Sequence, residues 1–135
     1  IMATLNTLTV DYSKTRQQFG SPIGSFQVLQ HRMVDTFMGC EQTKSMLYRG
    51  LCESKSVEEG EADAVALSKT VHALKATVAR YGKTIGEEAI QLHGGIGMTD
   101  ELNIGHYVKR LMMINTTFGD GDFHQKKFNQ LSYSV

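Results

Sequence analysis

The sequence predicts an all-α chain, folded as an up-and-down four-helix bundle. Three observations point there. A single proline in 135 residues leaves long stretches unbroken. Runs of β-branched residues are few. Apolar residues recur three to four positions apart along three long segments, each flanked by polar residues, as bundle helices require.

The first helix is expected from the start to about Gln17, with Leu5, Leu8 and Tyr12 at helical spacing. FGSPIGS then breaks it, through Gly20 and Pro22, and Ser25 is placed to cap the next helix. The second helix is expected from Phe26 to about Glu53, with Phe26, Leu29, Met33, Phe37, Cys40, Leu47 and Leu51 as its apolar stripe. SKSVEEGEA reads as a polar connection. The third helix is expected from Ala62 to His93, at 1.5 Å per residue about 48 Å long. Its face carries Val71, Leu74, Val78, Tyr81, Ile85 and Leu92, and Gly82 and Gly86 lie four apart where another helix can approach. A short helix follows, with Thr99 or Asp100 as its cap, and a last helix runs from Asp122 to about Ser132.

Basic and acidic residues balance at 14 each, which argues against a nucleic-acid binder held by bulk charge. No apolar run reaches the roughly 20 residues that span a bilayer, and Ile1 to Val10 does not read as a signal peptide. Cys40 and Cys52 suggest neither a disulfide scaffold nor a zinc site, so a cytoplasmic location is the default expectation. The five histidines lack ligand spacing, and no metal site is expected. The chain opens on Ile1-Met2 inside a helical pattern, which suggests a piece of something longer.

Chemistry belongs at the glycine-rich junctions. In QLHGGIGM, Gln91 to Met98, a helix stops on two glycines. Gly94 and Gly95, read alone, fit first an ordinary helix stop and second a backbone that something approaches closely. With the Gln91 amide one turn back, the segment suits a phosphate-bearing cofactor. At the first junction Arg16 presents a guanidinium fork suited to phosphate oxygens, and also suits a helix C-terminus as a solvated charge. Phe19 offers a flat face for a ring. Gln27 is either a polar contact or a surface side chain. His93 is expected to donate to a carbonyl at its helix end rather than serve as an acid or base. Asp120 and Asp122 in FGDGD serve either as a base or, the preferred reading, as an N-cap.

RQQFG at 16 to 20, I-x-x-FQ at 23 to 27 and QLHGGIG at 91 to 97 closely resemble the C-terminal domain of the acyl-CoA dehydrogenases, in order and in spacing. The resemblance covers essentially all of residues 1–135. It implies a missing N-terminal helical domain and a missing middle β-domain. It also implies an FAD flavoprotein of fatty acid metabolism, assembled as a homo- or hetero-oligomer, dimer or tetramer. This bundle would contact the ADP half of the FAD held by a neighbouring subunit. On this resemblance Arg16 matches the pyrophosphate contact, Phe19 the aromatic beside the adenine portion and Gln27 a polar contact. Gln91, Gly94 and Gly95 match the Gln-x-x-Gly-Gly contact. The implied reaction is α,β-dehydrogenation of an acyl-CoA, with an electron-transferring flavoprotein as acceptor and the isolated fragment inactive.

The sequence departs from the family pattern at the base. Arg110 matches the arginine upstream of a Tyr-Glu-Gly-Thr stretch, and counting on puts Phe118 at the tyrosine and Gly119 at the catalytic glutamate. Three readings remain. Asp120 supplies the base from one residue on; the base lies on the first helix, before Ile1; or this chain is a non-catalytic partner of a subunit that carries it. GMTDE, GHY-x-KR and FGDGD look most like small subunits of bacterial heteromeric dehydrogenases for dicarboxylic or steroid side-chain acyl-CoAs. The Thr-x-Gln that follows the glutamate is replaced by Gly121 and Phe123.

Overall fold

The computed structural model describes residues 1–133. It is all-α, with five α-helices: α1 Met2–Thr15, α2 Gln27–Glu58, α3 Ala64–His93, α4 Ile104–Thr116 and α5 Gly121–Tyr133. The helix after Asn103 is thus a full 13 residues.

Helix ends differ from expectation for local reasons. Ser25 does not cap α2. It belongs to a 3-10 turn over Ile23–Ser25, and its hydroxyl donates to the Pro22 carbonyl at 2.7 Å. The α2 ladder begins instead on the Phe26 carbonyl, which accepts from Leu29 and Gln30. α2 also continues to Glu58 through the polar stretch expected to be a linker. It stops at Gly60, at φ 75°, where Glu61 N–H bonds Ser56 O and Gly60 N–H bonds Val57 O, a Schellman closure. Asp63 caps α3 through Val65 N–H at 3.0 Å. Neither Thr99 nor Asp100 caps α4, which begins at Ile104.

The chain forms two compact units. The first comprises Ile1–Cys40 with Tyr81–Ile114. Its core is Leu5, Ile85, Ala89, Ile104, Val108 and Leu111. Gly86 and Gly82 lie beneath Val108 and Leu111, so their missing side chains admit α4 against α3, as the spacing predicts. Gly39 faces the Tyr81 ring, which a Cβ would meet at 2.7 Å. Arg32 and Glu88 join α2 to α3 at 2.7 Å, and Thr36 donates to Asn6 at 2.9 Å.

In the second unit, Glu41–Arg80 with Asn115–Val135, Gly121 at the start of α5 rests on Ala79 of α3. A Cβ there would stand 2.7 Å from that of Ala79. The helix-two stripe is not all core: Phe37, Leu47 and Leu51 are about half exposed.

Candidate functional site

The first junction is a small hairpin rather than a plain break. β1 (Gln17–Gln18) pairs antiparallel with β2 (Ser21–Pro22). The intervening Phe19 and Gly20 both have positive φ, 55° and 79°, as a two-residue hairpin turn of the primed kind demands. Phe19 thereby stands 92% exposed, with only an edge contact to Phe26 at 6.1 Å. At the hairpin base Gly24 packs on Ser13, where a Cβ would lie 3.0 Å from the Ser13 carbonyl oxygen.

The second junction abuts the first through one pair of rings. Tyr12 stacks on His93 with centroids 4.4 Å apart, and its hydroxyl donates to the His93 carbonyl at a long 3.4 Å. His93 is buried and bonds the Ala89 carbonyl through Nδ1 at 2.7 Å, which is the helix-end role expected of it. Tyr12 lies one turn before Arg16, and His93 immediately precedes Gly94. The ring stack therefore joins the end of α1 to the end of α3 beside the glycine pair.

A cleft of about 630 Å³ opens there, with Arg16, Gln91, Gly94 and Gly95 all on its wall. All four are exposed. Gly94 has φ 64°, the value a helix stop requires, whereas Gly95 has ordinary φ and open space where a Cβ would be. The donor set suits an anion: a guanidinium, a primary amide and glycine backbone with no bulk over it. Glu101 also lines the cleft and is its one carboxylate. Phe19 and Gln27 are exposed but are not among the residues that line it. The motif spacing pointed to the four wall residues; it did not reveal Tyr12, which reads as one more member of an apolar stripe.

The FGDGD segment has a defined geometry of its own. Asp120 Oδ1 accepts from Phe123 N–H at 2.8 Å, capping α5. Phe118 and Gly119 both have positive φ, 60° and 101°, and Phe118 is 92% exposed. A Cβ on Gly119 would meet the Phe123 ring at 2.5 Å. No side chain stands at position 119 unless that ring moves. His124 is buried and bonds the Phe118 carbonyl at 3.1 Å, while His72 faces it, Nδ1 to Nδ1, at 2.8 Å. Burial first, and then the charges of His124 and Lys127, hold His72 below the ordinary imidazole value. These two histidines are 52 positions apart, so no local spacing could announce them. Among the described residues no group of three or more metal-ligating side chains occurs, and no helix is long and apolar enough to cross a membrane.

Comparison with known proteins fits this geometry into a family. Residues 1–127 match the model of the acyl-CoA dehydrogenase C-terminal domain. An L-prolyl-[peptidyl-carrier protein] dehydrogenase of Serratia is 32% identical over 125 residues, covering 93% of this chain and 31% of that protein. Acyl-CoA dehydrogenase IpdE2 of Mycolicibacterium smegmatis is 39% identical over 103 residues, covering 76% of this chain and 29% of that protein. The solved FAD complex of PigA superposes with a TM-score of 0.82 at 28% identity, covering 96% of this chain and 32% of PigA. The chain thus spans about a third of the length of the relatives it matches. Its helical-bundle fold and its sequence agree: the chain belongs to the acyl-CoA dehydrogenase family, as the C-terminal domain of that family.

Proposed function

We propose that residues 1–135 form the C-terminal domain of an FAD-dependent acyl-CoA dehydrogenase, supplying FAD contacts and an oligomer interface. The observation that carries this reading is the convergence of Arg16 with Gln91, Gly94 and Gly95 on one cleft, from the two separate segments of the first compact unit. The FAD complex of PigA supports the cofactor. FAD supplies the hydride acceptor for α,β-dehydrogenation of the acyl thioester. Arg16 binds and orients the pyrophosphate, Gln91 donates or accepts beside it, and Gly94 and Gly95 let the backbone come close. Phe19, exposed on its turn, presents a face to the adenine portion, and Gln27 adds a polar contact. The half-exposed Phe37, Leu47, Tyr48 and Leu51 of α2 are the apolar surface that an oligomer or the remaining domains would cover. The remaining expectations stand on the family: an acyl-CoA substrate, an electron-transferring flavoprotein as acceptor, a cytoplasmic location.

The test of the cofactor is direct. The full-length protein should purify with, or take up, bound flavin seen in its visible spectrum. Arg16→Ala should weaken FAD binding by about 1.5–3 kcal/mol, the range for a hydrogen bond to a charged group. A colourless protein that binds no added FAD overturns the reading, and unchanged affinity in Arg16→Ala reduces Arg16 to a surface charge.

A second reading is favoured by a specific observation: this chain is a partner subunit that keeps the fold and lacks the base. A Cβ at Gly119 would meet the Phe123 ring, and the Asp120 carboxylate is engaged as a helix cap. The first reading assigns the base to Asp120 and the second does not. Turnover with an artificial electron acceptor separates them. Loss of activity in Asp120→Ala, with retained fold, supports Asp120; activity that ignores the change places the base elsewhere. Running the assay with acyl-CoA and with a peptidyl-carrier-protein thioester also tests the carrier, because one relative is named for an L-prolyl-[peptidyl-carrier protein] substrate.

A further inference from the structure

We propose that His72 and His124 are positioning residues for the Thr117–Asp120 loop, acting together as a latch that holds with no or one added proton and opens with two.

The geometry settles the protons. A carbonyl only accepts, so the His124 Nε2 that meets Phe118 O at 3.1 Å carries hydrogen. In its neutral form the Nδ1 of His124 is then a lone pair. The Nδ1 of His72, 2.8 Å away, must be the donor. The neutral pair is therefore a one-way chain of donors from α3 through α5 to the loop. One added proton leaves it intact, because either ring can take the charge while a single hydrogen remains between the two Nδ1 atoms. A second puts two N–H groups head to head, and the contact is lost.

The next carbonyl is held from the same side, since Lys75 Nζ donates to Thr117 O at 2.9 Å. The loop so gripped has Phe118 and Gly119 at positive φ, a conformation that does not hold itself. Lys127 on α5 is the charged side chain that acts on His72; of the charges on the neighbouring elements, Lys75 on α3 bonds Thr117, Asp120 caps α5, and Glu53 of α2 bonds Thr70. Burial, and then the charges of His124 and Lys127, oppose protonation of His72, which favours the shut latch near neutral pH.

This inference rests on the proposed function only in taking residues 118–120 as the loop at the reacting end. The decisive measurement therefore needs neither cofactor nor substrate. Amide exchange of residues 117–124, corrected for the intrinsic rate, is compared at pH 7.5 and pH 5 in the full chain. The variants are His72→Ala and His72→Asn, whose amide donor replaces Nδ1–H and does not titrate. Loop protection in the wild type should fall about tenfold at the lower pH, the factor for one lost hydrogen bond. It should be low at both values in His72→Ala and high at both in His72→Asn. Imidazole nitrogen shifts at pH 7.5 should show His124 as the Nε2–H tautomer and His72 as the Nδ1–H tautomer. Equal wild-type protection at both pH values, or an undisturbed loop in His72→Ala, overturns the latch. If His72→Ala does not fold, the wild-type pair of pH values, His72→Asn and the tautomers still decide. In the full-length flavoprotein, His72→Ala should lower kcat without raising KM, and His72→Asn should restore it. A latch seen by exchange with no effect on turnover counts against the reacting-loop reading alone.

Discussion

Three glycines follow His93 within four positions, and they answer to different constraints. Gly94 takes φ 64°, which a side chain would strain. Gly97 lies against His93, where a Cβ would come within 3.0 Å of the histidine Cβ. Gly95 has neither reason: its φ is ordinary and nothing is near. The proposed FAD contact would give it one. Gly95→Ala should leave the thermal midpoint unchanged or raised, because alanine loses less entropy on folding, while FAD affinity in the full-length protein falls. Equal affinity would show that nothing approaches there. The sequence showed a doubled glycine and could not say which one was spare, because that depends on atoms outside the helix stop. At Asp120 the sequence was more informative: an acid just before a helical pattern implies a cap, and Phe123 N–H is found on it.

At the scale of elements, helices were legible and the joints between them much less so. The apolar stripes located α1 and α3 to within a few residues, since periodicity reports burial, and the last helix expected from Asp122 to about Ser132 matches α5. The α2 end was misplaced because Lys55–Glu59 and Arg49–Glu53 pairs accompany a helix that the polar stretch was expected to interrupt. The hairpin at 17–22 was missed because its stabilising turn is only Phe19-Gly20, and phenylalanine at positive φ is not a turn signal. The contacts that matter most join distant elements: Tyr12 to His93 across α1 and α3, His72 to His124 across α3 and α5. The second joint carries a pH prediction. His72 is held below its unfolded value, so the folded chain binds fewer protons than the unfolded one in that window. Its contribution to stability is present above about pH 6.5 and is lost as pH falls through the folded value. The urea midpoint should drop between pH 7.5 and pH 5, and the drop should be smaller in His72→Asn. An identical drop in both proteins would assign the pH response to other groups.

For the whole molecule, the family and the all-α class were readable because three motifs keep their order and spacing along the chain. Gly119 itself was readable by counting on from Arg110, but its contact with the Phe123 ring was not, since that depends on where the ring falls. The chain also carries two large rings that bury almost none of their surface. Phe19 and Phe118 are each 92% exposed, and each sits at positive φ, 55° and 60°. Such backbone costs of order 1–3 kcal/mol in a residue with a side chain, against about 0.5–1 kcal/mol for the looser unfolded chain of glycine. Phe118→Gly and Phe19→Gly should therefore raise the thermal midpoint of the chain by a few degrees or leave it level, and a fall at either site would mean the ring is anchored. A redesign guided by stability alone would erase these two rings first. Both rings face outward, so an inventory of substitutions that stabilise this chain doubles as a map of what it presents to others.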